Sequence, residues 1–186
     1  MAEGKLIVIG GSAGSLSPVL KIASLFHKGM DICVLIVMHR APSDESVLPE
    51  VLVTKTEFTV KEVDDKDELK PGMLYIAPPD YHVLIERDCC LTLDDSEKVH
   101  FSRPSIDVTF ESAAEVYGSS LVCVLLSGAN ADGVAGLEKA KEKGAVVIIQ
   151  DPEVADFAFM PQKALEQVKP DMILSENNFA RLTDYL

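Results

Sequence analysis

Cations are scarce in this chain: 17 Lys and Arg stand against 30 Asp and Glu, a formal net charge of −13 over 186 residues. Such a surface repels polyanions, which argues against nucleic acid or an anionic membrane face as partner while leaving room for a local basic patch beside a site. No apolar run is long enough to span a bilayer, and the first residues lack the basic-then-apolar layout of a signal peptide. The four cysteines, Cys33, Cys89, Cys90 and Cys123, fall in no metal-ligand spacing. Cys33 and Cys123 lie inside apolar runs, where a thiol serves as a small apolar side chain. These absences point to a reducing, cytoplasmic setting with no structural disulfide and no membrane insertion. No repeat, low-complexity tract or linker divides the sequence, so residues 1–186 read as one domain, and 47% apolar residues suffice for its core.

What the chain does have is KLIVIGGSAGS, Lys5 to Ser15. Leu6 to Ile9 is an unbroken apolar run, the pattern of a strand buried on both faces, and it enters a glycine turn. Leu16, Val19, Leu20 and Ala23 then recur at helical spacing, with Pro18 admissible in the first turn and Gly29 as the expected stop. Ser12 is therefore expected on a tight strand-to-helix turn. Such a turn fits a nucleophile, a phosphate cradle, or nothing more than a sharp bend. The dinucleotide fingerprint and the Gly-Lys-Ser/Thr loop are both missing, which disfavours a nucleotide.

Further buried strands are expected at Ile32 to Met38, Leu121 to Leu126 and Ala145 to Ile149. A helix is expected over Ser43 to Thr54, a short strand around Phe58 to Val63, and a charged connector over Asp64 to Lys70. Met73 to Ala77, His82 to Glu86 and Cys89 to Leu93 read as a strand followed by an antiparallel hairpin. Helices are expected from an N-cap at Ser105 through Val116, over Val134 to Lys143, over Pro161 to Val168 and over Asn178 to Tyr185, with a short strand at Met172 to Leu174. The alternation implies an α/β fold: a three-layer, doubly wound, mostly parallel sheet with helices on both faces and an antiparallel hairpin. Sites in such sheets gather at the carboxyl ends of the strands.

Ser12, His39 and Asp132 each lie just past a buried strand. They supply a nucleophile, a base and an orienting acid for acyl transfer. The Ala13 N–H is the nearest oxyanion donor, and the loop at Ala129 offers a second. Competing readings exist for each: His39 as an ordinary loop histidine, Asp132 as an N-cap for the helix at Val134, Asp80 and Asp151 as rival carboxylates, and His27, His82 and His100 as rival bases.

IGGSAG (9–14), VMHRAP (37–42), YIAPPDYH (75–82), RPSID (103–107), LLSGANADGVAG (125–136) and FMP (159–161), in this order, resemble the catalytic domain of the chemotaxis protein-glutamate methylesterase family, CheB. The resemblance implies hydrolysis of glutamyl γ-methyl esters on chemoreceptor signalling helices, and deamidation of glutamines by the same chemistry. It implies Ser12 as nucleophile, His39 as general base, Asp132 as orienting acid, and no metal or organic cofactor. It also marks departures. The family's Ser-Thr-Gly-Gly turn is Ser12-Ala13-Gly14-Ser15 here, its Gly-Met-Gly-x-Asp-Gly loop is Gly128 to Gly133 with Ala129 and Asn130, and the His before Arg-Pro-Ser is Ser102. The receiver domain of full-length relatives has no counterpart, and the start Met1-Ala2-Glu3-Gly4 reads as a stand-alone version. Because receptor helices are acidic, Arg40 and Arg103 are expected as substrate-approach residues. The altered Ala129 to Ala131 loop motivates one alternative, a non-catalytic module that binds a receptor or signalling partner.

Overall fold

The unbroken apolar runs become the central strands, because only a strand covered on both faces can hide every side chain of such a run. The computed structural model describes residues 4–40 and 47–186. In chain order these form β1 (Lys5–Gly11), α1 (Leu16–Ala23), β2 (Ile32–Met38), α2 (Leu48–Val53), β3 (Thr59–Glu62), β4 (Asp67–Glu68), β5 (Met73–Ile76) and β6 (His82–Ile85). There follow β7 (Cys90–Asp94), α3 (Ile106–Tyr117), β8 (Leu121–Leu125), α4 (Val134–Glu142), β9 (Val146–Gln150), α5 (Phe159–Gln167), β10 (Met172–Leu174) and a 3-10 segment, Phe179–Tyr185. No helix among the described residues is long and apolar enough to cross a membrane.

Seven strands pair in the order β10-β9-β8-β1-β2-β5-β3, every pairing parallel. Successive side chains of a strand point to opposite faces. Leu6 and Val8 of β1 accordingly join a core with α3, α4 and α5, whereas Ile7 and Ile9 join a second core with α1, α2 and Leu182. From β1 the chain builds outward through β2, then returns past β1 to add β8 on its other side. The β1 and β8 termini thus form the switch point of the sheet, where the connections diverge and leave a crevice.

The smaller sheet, β4-β7-β6, is antiparallel and fixes α3. The Thr109 hydroxyl donates to the Val83 carbonyl at 2.8 Å, and the Ile85 N–H donates to Ser112 Oγ at 3.1 Å. Gly10 lets the start of α3 lie against β1, since a Cβ there would run into Ile106.

Several expectations need correction. The first helix ends at Ala23 rather than near Gly29: the Leu25 and Phe26 N–H groups bond three residues back to Ile22 and Ala23, and the Ser24 hydroxyl turns onto the Lys21 carbonyl at 2.7 Å. Of the helix expected over 43–54, only Leu48–Val53 is helical, and the cap expected at Ser43 lies outside the described residues. The connector at 64–70 contains β4, held when Lys61 reaches Asp67 at 2.8 Å and the Lys66 N–H donates to Leu91 O at 2.8 Å. The final segment is a 3-10 helix, with the Arg181 N–H bonded to Asn178 O at 2.9 Å.

Candidate active site

The turn after β1 is built by hydrogen bonds that glycine permits. Gly14 adopts φ +75°, a left-handed value, and a Cβ there would meet Asp156 and Ser127. Ser12 anchors by its backbone: its N–H donates to Ser127 O at 2.9 Å, and its carbonyl accepts from the Ser15 N–H at 3.1 Å and the Ser15 hydroxyl at 2.6 Å. Ser127 is buried, and its hydroxyl donates to Ala13 O at 2.7 Å while accepting the Phe157 N–H at 2.9 Å. Nothing in the local pattern singles it out, yet it buckles three loops together. The Ser12 side chain is left partly exposed and makes no hydrogen bond among the described residues, and the Ala13 and Ala129 N–H groups likewise donate to none of them.

His39 follows β2 directly, and its N–H continues the ladder to Gly11 O at 3.2 Å. That bond sets it alongside Ser12 on the neighbouring strand. Its Nε2 lies 2.7 Å from Asp132 Oδ2, with the imidazole 13% exposed and the carboxylate fully buried. Its Nδ1 lies 3.2 Å from Ser102 Oγ.

Asp132 does not cap its own helix. The residue before α4 is Gly133, and no side chain caps that helix. Asp132 reaches across the crevice to α3 instead, accepting the Ile106 N–H at 2.7 Å, the Asp107 N–H at 3.0 Å and the Ser105 hydroxyl at 2.7 Å. These are unpaired donors at the positive end of a helix, where an anion is stabilised. Burial pushes the Asp132 carboxyl up, but the bonds from His39, from Asp107 and Ile106 N–H and from Ser105 outweigh it and hold the group below its ordinary value. Asp107 returns the favour, accepting the Gly136 N–H of α4 at 2.7 Å. Burial is the main reason its carboxyl is pushed up to about 6, with the Asp132 charge adding to it and the Gly136 N–H and His100 opposing.

The rival groups have other duties. His82 is buried, with the Ser105 N–H donating to its Nδ1 at 3.0 Å, so its Nε2–H faces Glu97 O at 3.0 Å. His100 pairs with Asp107 at 3.2 Å, His27 contacts its neighbour's carbonyl at 3.2 Å, and Asp151 holds the Glu153 N–H at 3.0 Å. The two arginines expected at the substrate approach both bond within the molecule. Arg40 turns inward to Ala77 O at 2.5 Å and Glu62 at 3.1 Å, with its Nε buried and unpartnered among the described residues. Arg103 spends its guanidinium on Asp80, at 3.2 and 2.8 Å, and on the carbonyls of Asp95 and Ser96, at 2.5 and 2.7 Å. Both clamp loops of this molecule. Among the described residues no group of three or more His, Cys, Asp or Glu converges as a metal set.

Residues 7–182 match the family model described as CheB methylesterase. A Leptospira interrogans protein, provisionally named a protein-glutamate methylesterase/protein-glutamine glutaminase, is 42% identical over 95% of this chain and 91% of its own length. The Thermotoga maritima protein-glutamate methylesterase/protein-glutamine glutaminase is 35% identical over 92% of this chain, which spans about half (51%) of that relative. The crystal structure of the Thermotoga maritima CheB methylesterase catalytic domain superposes with a TM-score of 0.91 and 33% identity, covering 97% of each chain. Sequence, fold and topology agree: this chain belongs to the CheB methylesterase family.

Proposed function

We propose that this protein hydrolyses γ-methyl esters of glutamate side chains on chemoreceptor cytoplasmic helices, and deamidates glutamine there, through an acyl-enzyme on Ser12. The observation that carries this reading is the His39–Asp132 pair, 2.7 Å apart with the carboxylate fully buried, at the strand end next to the Ser12 turn.

The hydrogen bookkeeping assigns the roles. An ionised Asp132 only accepts, so the proton on His39 sits on Nε2 and Nδ1 presents a lone pair. As Ser12 Oγ attacks the ester carbonyl carbon, its proton passes to Nδ1, and Asp132 steadies the resulting imidazolium. The carbonyl oxygen gains negative charge within reach of the Ala13 and Ala129 N–H groups, each such donor typically contributing about 3–4 kcal/mol. Collapse breaks the C–O bond to methoxide, which leaves as methanol with the Nδ1 proton. Water then attacks the acyl carbon, gives its proton to Nδ1, and Ser12 departs with that proton, leaving a glutamate carboxylate. With glutamine the leaving group is ammonia.

Apolar contact also supports substrate approach, beside Arg40 and Arg103. Four apolar residues are exposed: Leu16 at the start of α1, Phe101 beside Ser102, Phe157, whose carbonyl accepts the Gly128 N–H at 3.1 Å, and Phe159 at the start of α5. Phe101 is 98% exposed and, with His100, has a positive φ (61° and 47°) in the two-residue turn closed between Val99 and Ser102. Such turns favour Asn and Gly, and a bulky residue there costs about 1–3 kcal/mol. Strain spent to hold an aromatic ring in solvent beside the site fits a ring that meets the substrate helix. Methanol release from a methylated receptor fragment tests the reading, and an undiminished rate in Ser12→Ala would remove Ser12 from the chemistry.

A further inference from the structure

Resting on that assignment of Ser12 and His39, we infer that Ser102 acts on the reaction through His39: its hydroxyl occupies the general-base nitrogen in the free enzyme and competes with Ser12 for it. The hydrogen bonds around His39 close into a ring. The Asp132 N–H donates to Asn130 Oδ1 at 3.1 Å, which fixes the Asn130 amide so that its Nδ2 faces Ser102 Oγ at 3.4 Å. With an Asn130 donor on its lone pair, the Ser102 hydroxyl has its single proton to give. Its acceptors within reach are His39 Nδ1 at 3.2 Å and His100 O at 3.3 Å. His39 Nε2–H then returns to Asp132 Oδ2 at 2.7 Å. Four residues thus hold one another in sequence, and such closed networks polarise and reinforce their members.

The imidazole offers a single lone pair at Nδ1, in the ring plane, and two hydroxyls cannot share it with good geometry. The Ser12 hydroxyl makes no hydrogen bond among the described residues, in keeping with a site where Ser102 is in place. Release is cheap because the Ser102 proton can rotate to the His100 carbonyl. The ring orientation does not depend on Ser102, since the Asp132 bond and burial already fix it. The hydroxyl therefore stabilises the resting base more than the transition state, and its loss speeds the first step.

The test is the second-order rate of labelling by a fluorophosphonate probe, in which Ser12 Oγ displaces fluoride at phosphorus, on the intact protein. One neutral hydrogen bond sets the scale, so Ser102→Ala labels about two- to ten-fold faster than the parent, with a melting temperature lower by about 2–4 °C. Ser102→Thr, which restores the hydroxyl, returns the rate toward the parent. In 15N spectra, the His39 Nδ1 resonance moves toward the free-acceptor position in Ser102→Ala. An equal or slower rate in a folded Ser102→Ala, or a Thr variant as fast as Ala, overturns the proposal. Ser12→Ala, run alongside, reports on the underlying reading separately: labelling that survives it refutes the nucleophile whatever Ser102 does.

Discussion

The two halves of the site are built to different standards. In the His39–Asp132 half the carboxylate is fully buried with both oxygens accepting hydrogen bonds, the imidazole is mostly covered, and two secondary-structure ends meet. The Ser12 half is fixed only by its backbone, and its hydroxyl stands partly exposed without a partner among the described residues. The contrast teaches where each cost lies. An anion taken out of water must be fully solvated by the protein at all times, whereas a nucleophile needs its partner only during attack.

The sharpest break between the halves is a pair of variants. Ser12→Ala should lower methanol release by about 10³-fold or more while leaving the melting temperature within a degree or so, because no packing or side-chain bond is lost. Asp132→Asn should also cost about 10³–10⁴-fold, through the wrong tautomer of His39, but here stability falls as well. Asp132→Ala, with three donors stranded at the start of α3, should lose about 3 kcal/mol or more, read by thermal or urea unfolding. The Asp132 contribution has a pH signature. Its folded value is depressed, so the stabilisation is present above the ordinary value of 3.8 and is lost as pH falls below it, a limb absent from Asp132→Asn.

Phe101 tests the nucleophile side from the solvent. Phe101→Ala should raise KM for the methylated receptor about 5- to 30-fold, on the order of 1–2 kcal/mol of lost apolar contact, with kcat and the fluorophosphonate rate little changed. An unchanged KM would return this ring to the role of an exposed turn residue.

The smallest effect concerns Asp107, whose pH signature runs opposite to that of Asp132. Because burial pushes its folded value up to about 6, the folded state keeps the proton longer, and stability declines as pH rises from about 4 to about 6. Asp107→Asn keeps an oxygen for the Gly136 N–H and removes that decline, so its melting temperature should gain on the parent between pH 4 and pH 7. Parallel curves for the two proteins would contradict the assignment.

The sheet was legible because its strands are continuous apolar runs between small-residue turns, a pattern with few other uses. Ser12 and His39 stood out for the same reason, each being the first polar side chain past such a run, while Asp132 lies further along its loop, behind Ser127 and Asn130. The partners of those residues were not legible. That Asp132 would serve α3 rather than α4 depends on how closely Ile106 approaches Gly10, a packing fact with no local signature. Ser127 and Ser102 look like ordinary loop serines until the loops are folded together. The pairing of the arginines was not legible either, because charge balance says how many cations a chain has, not which ones are already paired; Asp80 and Glu62 lie 23 and 22 residues away from the guanidiniums they hold.

The most direct measurement is an acid quench of the protein reacting with a γ-methyl glutamate substrate, followed by mass analysis of its peptides. The account requires a transient adduct on the peptide containing Ser12, equal to the substrate less methanol, absent from Ser12→Ala. Methanol release in the parent without that adduct, or an adduct carried by the Ser102 peptide, would contradict it.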